Sequence, residues 1–301
     1  MMENRHAGHG SSQDTVPQLP ELALENATFA AHLAALISAT DQETVWAMTS
    51  AFFRDLGFAH AIYGYSPDSW GAKLGSPEDY LVLSTFSAEV SAEMVEQGHH
   101  LQSLTFHWAL KNVGVASWAK SAKECGLDAD FVVDPVSLEF FTRAGLRSGC
   151  SVGFPNERTR GNATLALVAP SHVPQYEVDK WLALYQDVIL VTATIAHSRL
   201  STLPYPSPRG GLTRRQREVL EWVAEGKTAA DIATIMGLSA PTVDKHLRLA
   251  RETLGVDTTA HALIKAAFLN QVFVSQLPVS RIGSIRKKAV KQKSSTMSGA
   301  R

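Results

Sequence analysis

The stretch 212–256, LTRRQREVLEWVAEGKTAADIATIMGLSAPTVDKHLRLARETLGV, constrains the fold of this chain more than any other segment. Thr213, Thr228 and Ser239 each precede a segment with helical periodicity, and their hydroxyl groups are suited to capping a helix N-terminus. A glycine follows each of the first two segments, as is common where a helix ends. The stretch therefore predicts three short helices joined by tight turns.

The third predicted helix has two chemically different faces. Its apolar residues recur at helical spacing and share one side; they are Val243, Leu247, Ala250 and Leu254. Its polar side carries Pro241, Asp244, Lys245, Arg248 and Arg251. A basic helix that follows another helix after a Gly-containing turn fits the major groove of DNA, which is about 12 Å wide. The stretch is therefore predicted to read DNA.

Each polar side chain on this helix has an expected role. Arg248 is the candidate for a bidentate contact to guanine, a contact that distinguishes bases by about 1–3 kcal/mol. Thr242, Lys245 and Arg251 are candidates for phosphate contacts, which position the protein without reading sequence. Asp244 has two open roles. It can accept a hydrogen bond from cytosine, or it can pair with Lys245 or Arg248, and the second role is preferred because a carboxylate near phosphates needs a partner.

A family resemblance rests on residues at fixed spacing across this stretch. They are Leu212-Thr213, Glu218-Val219-Leu220, Gly226-Lys227-Thr228, Ile232-Ala233, Leu238-Ser239, Thr242-Val243, His246-Leu247 and Leu254-Gly255-Val256. Together they resemble the LuxR-type helix-turn-helix, which implies a transcriptional regulator with double-stranded DNA as its partner. The alternative is a small helical module that binds another protein.

Charge is distributed unevenly along the chain. The net charge is −1 overall, yet residues 275–301 carry seven basic residues and no acidic ones. Residues 209–273 carry nine basic and seven acidic residues, so the rest of the chain sums to −10. An acidic body with a basic end is expected when only the C-terminal part meets phosphate.

Composition and the positions of proline and glycine residues predict five segments. Residues 1–20 form a polar tail, 21–200 a larger domain, 201–211 a linker rich in proline and glycine, 212–273 the DNA-binding domain, and 274–301 a basic tail. The chain has no run of 18 apolar residues and only two cysteines. We therefore expect a cytoplasmic protein that does not enter a membrane and has no disulfide framework.

The larger domain alternates between strand-like and helix-like patterns. Strands are expected at 59–65, 80–86, 148–154 and 163–169, and a long helix at 174–200. Helices before and after the strands predict an α+β fold, an α-β-α sandwich around a mainly antiparallel sheet. Such a sandwich can hold a small molecule between its sheet and its helices.

This domain also resembles a known one. Gly57-Phe58, Trp118 and the segment AGLRSG at 144–149 are similar to landmarks of the LuxR-family autoinducer-binding domain. The resemblance implies an acyl-homoserine lactone as ligand, held by a Trp at the lactone, an Asp at the amide N–H, and Tyr side chains around the acyl carbonyl. Asp134-Pro135-Val136 spells a family tripeptide but stands too close to 144–149, so it is interpreted as a helix start.

The chain departs from the family at most ligand-contacting positions. Val90 stands in place of the lactone-contacting Trp, and Ser103 in place of the Asp. Met94 and Phe86 each replace a Tyr, and Leu167 stands where relatives often have a polar residue. Losing a carboxylate and two polar partners costs several kcal/mol, on the order of three hydrogen bonds. The candidate pocket residues are Tyr63, Phe86, Val90, Met94, Ser103, Trp118, Gly149 and Leu167.

Three roles remain open for the larger domain. It can bind a more apolar or aromatic signal molecule, bind nothing and serve dimerisation, or bind a partner regulator. Catalysis is an alternative from another class, because several reactive side chains lie close together in sequence; they are His99, His100, Ser103, His107 and Cys125. None of them has triad or metal-ligand spacing. We therefore expect no enzyme activity, no metal and no cofactor.

The end of the chain predicts the assembly. A fourth helix at about 260–273 has an apolar side, and three helices already close a small core, so the remaining apolar surface is expected to form a homodimer. Two-fold symmetry then requires an inverted-repeat DNA site with half-sites about one helical turn apart. The basic tail is expected to add salt-dependent affinity for DNA; a solvated tail without a role is the alternative.

Overall fold

The computed structural model describes most of the chain between its two ends. The described residues are 26–67, 69, 74–75, 77–127, 130–155, 161–204 and 210–273. The predicted tails at 1–20 and 274–301 lie outside the described residues, as does the middle of the predicted linker. No helix among the described residues is long and apolar enough to cross a lipid bilayer.

The larger domain contains helices on both sides of one sheet. Its helices are α1 (Asn26–Ser38), α2 (Gln42–Asp55), α3 (Ala88–Glu96), α4 (Leu104–Lys111), α5 (Trp118–Lys123), α6 (Pro135–Arg143) and α7 (Gln175–Leu200). Its strands are β1 (His60–Ser66), β2 (Leu81–Ser84), β3 (Gly114–Ser117), β4 (Gly149–Gly153) and β5 (Asn162–Val168). Two short 3₁₀ turns occupy Pro77–Asp79 and His99–Gln102.

The five strands form one sheet in the order β2-β1-β5-β4-β3, and every described pair is antiparallel. Helices α2 and α7 pack on one face, with α1 packed against both of them, and α4 and α5 pack on the other face. The predicted α+β sandwich with an antiparallel sheet is therefore confirmed. Strand β3 was not predicted, because its four residues are too short to show a period of two.

Local capping explains where the helices of this domain begin. The side chain of Asp41 accepts a hydrogen bond from the Thr44 backbone N–H at 2.7 Å, and Asp134 accepts one from Ser137 at 2.9 Å. These hydrogen bonds lower the pKa of both carboxyl groups. Helix α6 begins at Pro135 directly after its cap. The interpretation of Asp134-Pro135-Val136 as a helix start is confirmed.

The smaller domain is helical throughout its described part. Its helices are α8 (Arg214–Ala224), α9 (Ala229–Met236), α10 (Ala240–Leu254) and α11 (Thr259–Phe268). Thr213 and Gln216 form a capping box at the start of α8, and Thr228 and Asp231 form another at α9. Gly237 ends α9 with a φ of 64°, a left-handed conformation that favours glycine. The three predicted helices are confirmed, but the Ser239 hydroxyl makes no capping hydrogen bond to the backbone of α10 and lies 2.8 Å from the Thr242 hydroxyl instead.

The two domains share buried surface at the end of α7. Leu203, after α7, and Leu212, before α8, belong to the same buried apolar cluster as Leu269, after α11. Asn270 donates from its side chain to the carbonyl oxygens of Ser201 at 2.7 Å and Leu203 at 3.3 Å. Asn270, two residues after α11, therefore fixes the backbone at the point where the chain leaves α7.

Candidate ligand cavity and DNA-reading face

A cavity of about 330 Å³ lies between the sheet and helices α3 to α6. Its floor includes Ile62 and Gly64 of β1 and Thr164 and Ala166 of β5, which point to the same face because they alternate along each strand. Its walls come from strand β2, helices α3 to α6 and the segments next to them, mainly through apolar side chains. This volume is at the lower end of the range for small-molecule pockets, roughly 300–1,000 Å³.

Three of the predicted pocket residues border this cavity, namely Met94 of α3, Ser103 before α4 and Trp118 of α5. The Trp118 indole Nε1–H donates to the Ser151 hydroxyl at 3.1 Å, which fixes the ring against β4. Gly149 lies behind that ring. A Cβ on Gly149 would fall 3.0 Å from Trp118 ring atoms and far inside contact distance of the Leu167 carbonyl oxygen. Gly149 therefore permits the close approach of Trp118.

Two predicted pocket residues lie on the opposite face of the sheet. The Tyr63 hydroxyl is 2.9 Å from Nδ1 of His197 in α7, and Leu167 is fully buried in the core. Strand alternation explains both placements, since neighbours of residues that face the cavity point the other way. The expectation that Tyr63 and Leu167 contact a ligand is corrected, because a molecule in the cavity would be separated from their side chains by the sheet.

Phe86 and Val90 also stand outside the cavity lining. The Phe86 ring stacks on the His60 ring with centroids 4.0 Å apart, beyond the end of β2. Val90 lies in the first turn of α3, where its backbone N–H donates to Ser87. The expectation that Phe86 and Val90 line the pocket is therefore corrected, because both lie beside the cavity rather than in its wall.

Ser103, which borders the cavity, caps helix α4. Its hydroxyl accepts from the Phe106 backbone N–H at 3.3 Å and lies 3.1 Å from the Thr105 hydroxyl. Both contacts lie within the first turn of α4. Ser103 thus borders the cavity with a neutral hydroxyl that is already engaged in local hydrogen bonds.

His100 is a cavity residue that the sequence interpretation did not assign to the pocket. Its Nδ1 lies 3.0 Å from the Met94 carbonyl oxygen, and the rings of Tyr80 and Phe106 meet it edge-on. Burial lowers the pKa of His100 below its ordinary value, so the ring is neutral near pH 7. The sequence showed only a group of nearby histidines, because the partners of His100 come from separate elements.

The polar face of α10 is exposed as predicted. Asp244, Lys245 and Arg248 are exposed, and Thr242 lies at the start of the helix with its hydroxyl 2.8 Å from that of Ser239. The opposite side packs into the domain through three buried residues, Val243, Ala250 and Leu254. Helix α10 therefore presents one side of its surface to a partner while the other side fixes its orientation.

Two arginines of this face have intramolecular partners. Arg248 forms an ion pair with Glu252, one turn further along α10, at 2.5 Å. Arg251 donates to the Thr259 hydroxyl at 3.0 Å and so links α10 to α11. The sequence interpretation preferred a pair between Asp244 and Lys245 or Arg248, and no such pair is present among the described residues. The i,i+4 spacing of Arg248 and Glu252 was the available signal for the observed pair.

An ion pair connects the ligand-cavity region to the smaller domain. Lys265 of α11 lies 2.8 Å from Asp79, and both side chains are largely buried. Asp79 ends the 3₁₀ turn that leads into Tyr80, whose side chain borders the cavity.

Within the described residues, no group of three or more His, Cys, Asp and Glu side chains is placed to hold a metal ion.

A sandwich domain with a cavity, joined to a helix-turn-helix domain whose third helix has an exposed polar face, is typical of a transcriptional regulator with a ligand-binding domain. Family models agree with this class. The autoinducer binding domain matches residues 41–200, and the model for bacterial regulatory proteins of the luxR family matches residues 211–266. The chain belongs to the LuxR family of quorum-sensing transcriptional regulators, whose members are DNA-binding proteins rather than enzymes.

Individual relatives extend over different parts of the chain. The transcriptional activator protein AnoR of Acinetobacter nosocomialis is 25% identical over 247 residues, which cover 79% of this chain and 95% of AnoR. The quorum sensing-dependent regulator RpaR of Rhodopseudomonas palustris is 40% identical over 79 residues, 26% of this chain and 32% of RpaR. The crystal structure of Escherichia coli SdiA covers 81% of this chain and 98% of SdiA, with 18% identity and a TM-score of 0.41.

Proposed function

We propose that this protein binds inverted-repeat DNA as a homodimer and that a small molecule in the cavity shifts the fraction of dimers competent to bind DNA. The observation that carries the proposal is the cavity itself, since it lies in a domain joined through buried contacts to the DNA-binding helices. The protein would act in the cytoplasm, where it meets its DNA.

The lining of the cavity indicates the chemistry of the ligand. No carboxylate or ammonium side chain borders it among the described residues. Apolar side chains such as Val82, Met94 and Leu104 dominate, and hydroxyl groups such as those of Ser66 and Thr164 are scattered among them. These features favour an uncharged, largely apolar molecule with few polar groups. They differ from the acidic site that the family resemblance implies for acyl-homoserine lactones.

The homodimer is supported by an exposed apolar stripe on α7. Tyr176, Leu184 and Val191 recur at spacings of eight and seven residues, and Leu184 is 74% exposed. This spacing is close to the heptad that brings two helices together. Helix α11 offers less, because Ala262, Ala266 and other residues of its apolar side are already buried within the chain. We therefore place the principal dimer contact on α7.

The test of DNA reading uses two arginines in matched surroundings. Arg248 is 54% exposed and paired with Glu252, while Arg143 of the larger domain is 58% exposed and paired with Glu93. Arg248→Ala should lower affinity for DNA selected from a randomised pool by about 1–3 kcal/mol relative to unrelated DNA. Arg143→Ala should change neither quantity. Equal affinities of the Arg248→Ala variant and the parent protein in fluorescence anisotropy would contradict the assignment.

The test of ligand sensing is thermal unfolding of the protein with a panel of long-chain and aromatic acyl-homoserine lactones and extracts of the host culture. A ligand at 100 times its dissociation constant stabilises the protein by about 2.7 kcal/mol. Ala166→Leu, which adds side-chain volume at the cavity floor, should abolish the stabilisation and preserve DNA binding. If no compound stabilises a folded, DNA-binding protein, the alternative holds, and the larger domain serves dimerisation or a partner regulator.

A further inference from the structure

The hydrogen bonds of His100 determine which ring nitrogen carries its hydrogen. Nδ1 lies 3.0 Å from the carbonyl oxygen of Met94. A carbonyl oxygen can only accept, so Nδ1–H is the donor in this contact. In a neutral imidazole the other nitrogen then has a lone pair and no hydrogen. Nε2 of His100 is therefore a hydrogen-bond acceptor.

The neutral state of this ring follows from its surroundings. Burial is the largest influence and lowers the pKa of His100, the nearby His107 and His99 lower it further, and only the contact with Met94 raises it. The other titratable group that packs against the ring is Tyr80, whose own pKa is raised by burial. Near neutral pH the ring thus stays uncharged, and Nε2 keeps its lone pair.

Nε2 has no hydrogen-bond partner among the described residues, and it is shielded from solvent. The nearest rings cannot satisfy it, because Phe106 has no donor group and the Tyr80 hydroxyl donates to the Gly75 carbonyl oxygen at 3.0 Å. A buried polar atom without a partner costs about 1–3 kcal/mol. The same imidazole borders the cavity, so a ligand that moves the adjoining ring of Tyr80 or Phe106 can reach Nε2 and supply the missing donor.

We propose that Nε2 of His100 accepts a hydrogen bond from an N–H or O–H group of the ligand and thereby selects the ligand class. The proposal rests on the ligand-sensing function above. It specifies an uncharged, largely apolar molecule with one donor at its polar group, such as an N-acyl amide or a long-chain alcohol. A neutral imidazole then provides the acceptor in a cavity whose described lining contains no carboxylate.

The experiment compares ligands that differ only in the donor. Long-chain N-acyl-homoserine lactones are paired with the esters that have oxygen in place of N–H, and long-chain alcohols are paired with their methyl ethers. Binding is measured by calorimetry on the full-length protein. Each donor-bearing probe that binds should do so at least about tenfold more tightly than its partner, because the ester or ether oxygen leaves Nε2 unsatisfied.

A variant and a control assign the preference to His100. His100→Phe keeps a ring of similar size without an acceptor, and it should reduce the preference to about twofold or less. His107→Phe is the control, because Nε2 of His107 lies 2.8 Å from the Leu101 carbonyl oxygen and that ring does not border the cavity. It should retain the full preference.

A second measurement does not depend on the folding of a variant. The ¹⁵N resonance of His100 Nε2 in the parent protein should move from the range of an unbonded acceptor to that of a bonded one when a donor-bearing probe binds, while Nδ1 remains protonated. Equal affinity for donor-bearing and donor-free probes, or full preference in His100→Phe, would overturn this inference and leave ligand sensing intact. Failure of every probe to bind the folded protein would overturn both.

Discussion

The DNA-reading face and the ligand cavity are assembled in different ways. Thr242, Lys245 and Arg248 lie within two turns of one helix, and short-range caps fix the helices of that domain. The cavity instead combines Ile62 of β1, His100 of a 3₁₀ turn and Trp118 of α5 with residues from several other elements. The first site depends on one local pattern, whereas the second exists only after distant segments have packed together.

The two sites also differ in their electrostatics. In the DNA-reading domain, contacts with Arg214 and Thr228 lower the pKa of the partly exposed Glu218 and the exposed Asp231. The larger domain holds histidines whose pKa is lowered by burial, namely His32, His100 and His197. Helix caps also lower the pKa of Asp41 and Asp134 in the larger domain, so the two domains differ in their buried histidines rather than in their carboxylates.

The largest expected effect tests the packing behind the cavity. Gly149→Ala should destabilise the larger domain by about 3 kcal/mol or more, because the new methyl group would overlap the Leu167 carbonyl oxygen and press on Trp118. A backbone oxygen within the sheet cannot rotate away as a side chain can. Urea unfolding followed by tryptophan fluorescence measures the loss.

Gly64→Ala provides the matched control for that change. Gly64, like Gly149, lies in a strand of the sheet. A Cβ on Gly64 would be 3.7 Å from the Thr164 hydroxyl, which is an ordinary contact distance. Its free energy of unfolding should stay within about 1 kcal/mol of the parent value. Equal losses in the two variants would show that the overlap at Gly149 does not determine stability.

The same contrast explains what the sequence could predict. Caps and glycines placed α8, α9 and α10 correctly, because these signals act over three or four residues. Strands β1 and β5 were also predicted, but the sequence did not show which of their two faces would border the cavity. Tyr63 and Leu167 were accordingly assigned to the pocket although they point to α7 or into the core. The direction of a strand's faces is decided by the helices that pack on the sheet.

His100 shows more clearly which features of the site the sequence could not predict. Its assignment depends on the contact with Met94 and on Nε2 having no partner within the described part of the chain, and both follow from tertiary packing. In the sequence it is one of two adjacent histidines, and nothing distinguishes it from His99, which contacts Ser137 and stacks on Phe140. Ser103 could be aligned with a family carboxylate, yet its engagement as a helix cap could not be read from that alignment.

The next largest effect is the loss of stability of the larger domain at acidic pH, which we assign to His197. Burial lowers the pKa of His197 from 6.5 to about 4 in the folded protein. Between these values the unfolded chain binds more protons than the folded one, so stability is undiminished above pH 6.5 and falls as the pH drops toward 4. Lowering the pH from 7 to 5 should cost about 2 kcal/mol through this residue.

His197→Gln removes this titration and retains a polar partner for the Tyr63 hydroxyl. The variant should lose most of the stability difference between pH 7 and pH 5 in urea titrations, with a residual slope from His32 and His100. Glu218 and Asp231 should contribute only at lower pH, because the stability from a carboxylate with a lowered pKa is lost as the pH falls through its folded value. An unchanged pH dependence in the variant would refute the assignment to His197.

The smallest expected effect concerns the contact that joins the two sites. Removing one side chain of the Asp79–Lys265 ion pair should cost about 1–1.5 kcal/mol, since both side chains are less than one-fifth exposed and the remaining charge would lose this contact. Lys265→Met, Asp79→Asn and the double variant form a thermodynamic cycle that isolates the pairwise energy. Lys180→Met is the control, because Lys180 pairs with Glu177 while 59% exposed, and its loss should cost at most about 1 kcal/mol.

The functional consequence of this pair follows from its position beside the cavity. Tyr80 borders the cavity and packs against His100, and it directly follows Asp79. A ligand that displaces the Tyr80 ring would therefore act on the residue that holds α11. We expect Lys265→Met to bind ligand and DNA with nearly unchanged separate affinities but to lose most of the effect of one on the other, measured by DNA titrations with and without ligand. A coupling energy equal to that of the parent protein would show that communication runs instead through the buried cluster around Leu203 and Leu269 and the Asn270 hydrogen bonds beside it, because these contacts also join the domains.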